Sequence, residues 1–339
     1  MTYRLPSIAI GMRIEPRHVQ GILENECRLW KGDPVFPEVA QGLLPRPDPS
    51  GLIHSLRITC FAAPECQANS AILVAMASTS DFRNRWALVT GASAGIGTAL
   101  ARELASHGAK LILTARRRDR LDALAAELAA KGAEVRTVVA DLGDPAAPQQ
   151  IYDATEGAGI AVDILIENAG LGQYGAFYSN PIDQELNQVR VNCEAVVSIA
   201  RRFVPRMAER RRGWVLITAS TASFQPVPYI TTYAATKAFD RFFALGLAQE
   251  VARFGVKVTA LCPGSTESEF FDVARAHALK RNVQSAEDVA RIGIAGLARG
   301  QRTVIPYASG RFTALLVRFL PVGLITYFVE KAARPSEKS

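Results

Sequence analysis

Tyr233 and Lys237, in the stretch "YAATKAF", lie four residues apart in a segment otherwise made of alanine, threonine and phenylalanine. On a helix that spacing puts the phenol and the ammonium on one face. A phenol ionises near pH ~10 and is a poor base at neutrality, but an adjacent ammonium favours the phenolate and brings it within reach of acid–base work. A half-exposed pair with its polar tips in water would show the same spacing. The choice between the two readings therefore rests on what else the chain brings alongside. Ser220 ends an apolar strand pattern thirteen residues before Tyr233 and can donate a hydrogen bond to a substrate oxygen. Asn192 sits inside a helical pattern. Singly, such a serine is commonly a cap and such an asparagine a surface residue.

A second group of residues has the chemistry of a phosphate cradle. "TGASAGIG", residues 90–97, follows the first apolar strand pattern and opens a helix. Gly91 permits the turn, Ser93 lies in it, and Gly95 and Gly97 let the backbone approach a pyrophosphate. The helix starting near Ile96 offers free N–H groups and the positive end of its dipole. The second strand pattern ends "LTARRRDR", with Arg116 and Arg117 following Ala115 where an NAD site places an acid. A guanidinium there pairs with a 2′-phosphate, and no carboxylate is placed to repel it, so NADP(H) is favoured over NAD. Asp141 and Leu142 of "ADLGDP" fit the edge of an adenine, although Asp141 serves equally as the N-cap of the next helix. Asn168, Ala169 and Gly170, in "ENAG", are small enough to admit a nicotinamide ribose.

These residues need a scaffold, and the patterning from Arg85 onward supplies one. Seven short apolar runs begin at residues 86, 109, 134, 162, 213, 256 and 303. Most are apolar throughout, as parallel strands covered on both faces must be. Amphipathic helical stretches separate them: 96–107, 118–131, 145–156, 182–211, 229–254 and 286–299. Gly108, Gly132, Gly213 and Gly255 stand where left-handed helix caps are wanted. Alternating strand and helix with right-handed crossovers gives an α/β doubly wound parallel sheet, with ligands at the carboxyl ends of its strands.

Composition bounds the rest. The chain has 339 residues, is 49% hydrophobic and carries a formal charge of +7, enough apolar material for a sizeable core. Part of the charge is a cluster from Arg201 to Arg212, read as the solvated end of a helix; Phe203 is the single aromatic residue within it, which argues against nucleic-acid binding. Five cysteines without close pairing suit a reducing, cytoplasmic compartment, and four scattered histidines offer no metal site. Residues 1–80 form a proline-rich extension ("LLPRPDPSG") with little regular period, and Met76 is an alternative start. Residues 81–308 form the catalytic domain, and 309–339 an apolar tail expected to fold as a helix pair. Packing of that tail on the domain or a subunit partner is favoured over contact with a membrane surface.

Taken together, "TGASAGIG", "ADL" at 140, "NAG" at 168, Asn192 in "VRVNCEA", Ser220 in "LITASTAS", "YAATK" at 233 and "PGSTES" at 263 resemble the short-chain dehydrogenase/reductase family in its ordinary, non-extended form. The resemblance spans about residues 82–306 and implies a Rossmann-type fold of about seven strands with helices on both faces. It implies Tyr233 as general acid/base, Lys237 as the group that lowers its pKa and binds the nicotinamide ribose, Ser220 as donor to the substrate oxygen, and Asn192 as holder of a water linking Lys237 to solvent. Pro263, Gly264, Thr266 and Ser268 would border the nicotinamide, Ser268 keeping the hydroxyl of the threonine usual in the family. Glu167 departs from the pattern, standing where the family has a second asparagine. The resemblance further implies a homodimer or homotetramer, and a lid over 266–284 with Phe270, Phe271 and Val273 closing on substrate. Leu171, Tyr174, Phe177, Phe224, Val227, Pro228 and Tyr229 are expected around an apolar substrate pocket. The reading favoured is an NADP(H)-dependent oxidoreductase that interconverts a carbonyl and a secondary alcohol on a moderately hydrophobic small molecule. The alternatives are an NADP(H)-sensing regulator and a membrane-surface enzyme of lipid-like substrates.

Overall fold

The computed structural model describes residues 79–270, 274, 276 and 283–335. The expectations for the proline-rich extension, for a start at Met76, and for Phe271 and Val273 lie outside the described residues. All seven apolar runs are strands: β1 (Trp86–Thr90), β2 (Lys110–Ala115), β3 (Val135–Val139), β4 (Val162–Glu167), β5 (Gly213–Thr218), β6 (Val256–Leu261) and β7 (Thr303–Val304). They form one parallel sheet in the order β3-β2-β1-β4-β5-β6-β7. Every residue of β4 and β5 is buried, which accounts for their unbroken apolar runs, whereas β3 at the edge is only partly covered.

Two helical layers enclose the sheet. On one face, α1 (Gly95–Ser106), α2 (Arg118–Ala130) and α7 (Ala286–Ala298) pack Leu100, Leu104, Leu121, Leu128 and Ile294 against Val89, Leu111, Leu113, Ile164 and Leu216. On the other, α3 (Ala147–Asp153), α5 (Ala195–Glu209) and α6 (Thr231–Val251) bury Ile151, Ile199, Phe203 and Ala244 against Leu88, Leu165, Val215 and Val258. The order reverses between β1 and β4, so the chain leaves these two strands toward opposite faces and a crevice opens beyond their carboxyl ends.

The structure departs from the sequence reading in three places. The helix expected over 182–211 is α4 (Ile182–Val189) and α5, joined by a π-turn, Arg190–Glu194. The wider turn leaves Asn192 fully buried. Gly108, Gly132 and Gly255 take left-handed conformations, but at the end of α5 Arg211 does so (φ 52°) and Gly213 instead begins β5. Gly213 is required for space: a Cβ there would come within 2.7 Å of the Met207 side chain. The third concerns the arginines of 201–212, several of which are not merely solvated. Arg210 binds Glu156 at 2.8 Å and lies 3.4 Å from Asp163, while Arg212 and Arg85 reach the buried Asp163 carboxylate at 3.0 and 3.1 Å.

Asp163 thus ties three basic residues to the amino end of β4, opposite the crevice. Hydrogen bonds to a buried charge are worth about 1.5–3 kcal/mol, discounted here because the arginines can turn to water. Asp163→Ala is expected to lower unfolding free energy in urea by about 2 kcal/mol, with dinucleotide affinity within about twofold of the wild type.

Candidate active site

A cavity of about 660 Å³ occupies the crevice. Its walls are the segments that follow β1, β2, β3, β4, β5 and β6, so the sheet positions every group described below. After β1, Gly91 (φ 66°) and Gly95 (φ 53°) turn the chain into α1. Gly97 packs under the loop, where a Cβ would lie 2.2 Å from the Gly91 carbonyl oxygen. No side chain caps the first turn of α1, so its N–H groups remain available to an anion. Thr90 fixes the neighbouring loop: its hydroxyl accepts from the Asn168 and Ala169 N–H groups at 2.9 and 3.1 Å, and the Asn168 amide donates to the Thr90 carbonyl at 3.2 Å. These features fit a dinucleotide pyrophosphate, since a backbone cradle with glycine at its closest approaches leaves room for phosphate oxygens.

Beyond β2 and β3, Arg116, Arg117, Asp141 and Leu142 border the same cavity. The expectation that no carboxylate lies near these guanidiniums is not met. Arg117 donates to Glu269 Oε2 at 2.7 Å and to Ser93 Oγ, Arg120 also binds Glu269, and Arg116 lies 3.9 Å from Asp141 Oδ2. Glu269 comes from the segment after β6, too far along the chain for a local pattern to disclose it. One carboxylate shared by two arginines still leaves this end of the cavity cationic.

At the other end stand Ser220, Tyr233 and Lys237. Ser220 follows β5 in extended conformation, its hydroxyl accepting from the Ala222 N–H at 3.1 Å. Tyr233 and Lys237 occupy the first two turns of α6. The Lys237 ammonium is buried and donates to the Thr218 carbonyl at 2.7 Å and to Asp240 Oδ2 at 2.9 Å. Burial alone would lower its pKa, but the Asp240 and Tyr233 charges outweigh it and hold Lys237 above the usual ammonium range. Burial raises the Tyr233 phenol; Lys237 and a hydrogen bond with Ser220 pull it down but do not overcome burial. The expectation of a lowered phenol pKa is therefore not met by the protein's own groups, and further positive charge beside the ring is needed to reach it.

The remaining expected residues divide clearly. Ile96, Gly170, Pro263, Gly264, Thr266 and Ser268 line the cavity. Gly97 and Asn192 do not. The Asn192 side chain is a clamp: it accepts from the Leu171 N–H at 2.8 Å and donates to the Leu171 carbonyl and Thr236 hydroxyl at 2.9 Å each, tying the post-β4 loop to α6. Of the apolar group, Leu171 and Val227 face the cavity, whereas Tyr174 and Tyr229 bond the tail, Phe177 is exposed and Phe224 packs on the core. Phe270 packs against Tyr233 with ring centroids 5.0 Å apart and the rings tilted by 46°.

Besides Glu269, the sequence reading missed Asp240 and the start of the tail. Asp240, three residues past Lys237, was legible as a same-face pair. Tyr307, Gly310 and Thr313 come from the start of the tail, which forms α8 (Ala308–Leu316) and α9 (Val322–Ala333) and turns one wall toward the cavity. No local signal announces that return.

Residues 85–279 match the family model for short chain dehydrogenases. The chain belongs to the short-chain dehydrogenase family. It is 30% identical over 253 residues to a very-long-chain 3-oxoacyl-CoA reductase from Anas platyrhynchos, covering 73% of this chain and 79% of the relative. With the very-long-chain 3-oxoacyl-CoA reductase-B of Danio rerio it shares 35% identity over 186 residues, which take in 53% of this chain and 58% of the relative's length. A short-chain dehydrogenase from Sphingobium yanoikuyae, solved in complex with NADPH, superposes with a TM-score of 0.64 at 30% identity, over 75% of this chain and 98% of the other. The family assigns this short-chain dehydrogenase to the oxidoreductases, in agreement with the fold and motifs.

The glycine packing gives a direct test. Gly97→Ala must displace the Gly91 backbone, since a 2.2 Å approach to a carbonyl oxygen is not sterically allowed. NADPH affinity, read by fluorescence titration, is expected to fall by about tenfold or more, equivalent to roughly 1.4 kcal/mol.

Proposed function

We propose that this short-chain dehydrogenase interconverts a carbonyl and a secondary alcohol on a moderately hydrophobic small molecule, using NADP(H). The observation that carries the reading is one cavity with Ser220, Tyr233 and Lys237 at one end and the Arg116 and Arg117 guanidiniums at the other. A sensor of dinucleotide needs the cradle but not the buried phenol and ammonium.

Gly91, Ser93, Gly95 and the first turn of α1 would hold the pyrophosphate, and Arg116 and Arg117 the 2′-phosphate. Lys237 has one ammonium hydrogen beyond those given to Thr218 and Asp240, and this would bind the nicotinamide ribose. When bound, the cofactor supplies the hydride, and in its oxidised form a positive charge beside Tyr233. Ser220 donates to the substrate oxygen, orienting it and stabilising the charge that develops there. Tyr233 gives its proton to that oxygen in reduction and takes it back in oxidation. Leu171, Val227 and Phe270 present apolar surface beside this point, which suits a hydrophobic substrate. The Anas and Danio relatives are very-long-chain 3-oxoacyl-CoA reductases, which supports an apolar carbonyl compound without naming it.

Subunit pairing through α4 and α6 belongs to the same proposal. Ile182, Leu186, Val189, Phe239 and Phe242 are exposed there.

Two measurements test this reading. Against a panel of hydrophobic ketones and aldehydes, NADPH oxidation should exceed NADH oxidation, and Arg116→Ala should erase most of the difference; a clear NADH preference in the wild type would overturn the NADP(H) assignment. Tyr233→Phe should lower kcat by about 10²–10⁴-fold while NADPH affinity changes little. Unchanged turnover would exclude Tyr233 as the acid.

A further inference from the structure

The tail helices have two unlike sides. Inward, Tyr307, Gly310 and Thr313 border the cavity, and Ala314, Ile325 and Ala333 are buried. Two tyrosines fasten this side: the Tyr174 hydroxyl donates to the Ala333 carbonyl at 2.8 Å, and the Tyr229 hydroxyl donates to Glu330 Oε1 at 2.9 Å. Outward, Phe312, Leu315, Phe319, Val322, Tyr327 and Phe328 are exposed, Phe319 to 78%. The turn between the helices is itself apolar, Phe319-Leu320-Pro321, preceded by Arg318.

We propose that the outer side of the α8–α9 hairpin docks on an anionic lipid bilayer, and that the cavity behind it receives apolar substrate from that surface. The second clause rests on the function proposed above; the first does not. Charge decides between a bilayer and another protein copy. Residues 308–335 contain Arg311, Arg318, Lys331 and Arg334 against a single acid, Glu330, which is already engaged by Tyr229 and Arg334. A second copy related by two-fold symmetry would bring this same cationic rim against itself. Anionic headgroups complement it, while the aromatic and aliphatic side chains enter the acyl boundary and the long basic side chains reach back to phosphate. Among the described residues no helix is long and apolar enough to cross a membrane, so the hairpin lies on the surface. The sequence-based preference for packing over membrane contact is thereby reversed for the outer side and kept for the inner.

Sedimentation of the full chain with vesicles reads this directly. The chain should co-sediment with vesicles of phosphatidylcholine and phosphatidylglycerol, and several-fold less with phosphatidylcholine alone or at high salt. Phe319→Ser with Phe328→Ser should reduce binding to anionic vesicles by about tenfold or more, as expected when two apolar anchors are lost. Both residues are exposed, so folding should be retained, and Arg318→Gln provides a milder variant that should weaken binding with less salt dependence. Turnover of a water-soluble ketone should be unchanged in both variants. Absence of vesicle binding in the wild type, or loss of an oligomer in the variants without loss of vesicle binding, would sink the proposal. Neither result bears on the chemistry at Tyr233.

A separate observation concerns two acids behind the site. Glu167, the departure from the family pattern, lies on the sheet face that packs on α5 and α6, with neither carboxylate oxygen hydrogen-bonded. Asp240 projects from α6 toward that face, one oxygen on Lys237 and the other without a hydrogen bond. Burial and the Asp240 charge push Glu167 well above the carboxylate range. The charged or titratable groups around Asp240 are Lys237 and Tyr233 on α6, Glu167 on β4 and Cys193 in the π-turn, whose thiol burial raises to about 11. We infer that Asp240 is a positioning residue whose carboxylate, bound to the Lys237 ammonium at 2.9 Å, tempers the pull of Lys237 on Tyr233.

The sign follows from the charges. An anion beside Lys237 raises the Tyr233 pKa, so Asp240→Asn should move the acid limb of kcat for alcohol oxidation to lower pH by about one unit. Ultraviolet difference titration of the cofactor-free protein, wild type against Tyr233→Phe, should show the same downward shift. Glu167→Gln, isosteric with the protonated acid, should leave both readings in place. Equal shifts from the two single variants, or a change in melting temperature with no shift in either reading, would refute this role of Asp240.

Discussion

The buried ammonium of Lys237 is the constraint around which the site is arranged. An ammonium stripped of water is costly unless its hydrogens are met and its charge balanced. Thr218 meets one hydrogen from the end of β5, and Asp240 meets another while supplying the balancing charge. The Thr218 bond joins helix α6 to the end of strand β5, the Asp240 bond fixes the ammonium along α6 itself, and Ser220 and Tyr233 stand beside that junction. The geometry of the reacting groups is thus inherited from the electrostatic need of a residue that is not itself the proton donor.

The same need explains why Tyr233 is held high in the protein alone. Lys237 cannot spend its charge fully on the phenol while Asp240 shares it, and burial works against the phenolate. Phenolate is reached only when positive charge is added on the open side of the ring, where the cavity admits the cofactor. On the function proposed above, this deficit would couple proton transfer to cofactor occupancy.

Much of this was legible in the residues. The seven strands announced themselves because each is apolar on both faces, and the cradle because glycines are needed at particular turns. Tyr233, Lys237 and Ser220 could be read because one local spacing and one strand end place them. What stayed hidden came from distance along the chain or from geometry that pattern does not encode. Glu269 returns to Arg117 from 152 residues away. The π-turn that buries Asn192 has the same apolar period as an unbroken helix to within one residue, so periodicity could not reveal it. Asp240 was within reach as an i,i+3 partner of Lys237, but an acid on a mostly apolar helix reads first as its exposed face.

The tail shows how one short segment can satisfy opposing demands. Its inner side must be small and polar enough to border a cavity and accept two tyrosine hydroxyls, and Gly310, Thr313, Ala333 and Glu330 supply this. Its outer side keeps large apolar side chains in water, an arrangement that burial against the domain would have removed had the fold required it. Helix α8 presents both sides at once, so the wall of the cavity and the exposed apolar surface share one backbone. The two helices meet at Pro321, and Tyr174 and Tyr229 fasten the second of them to the domain.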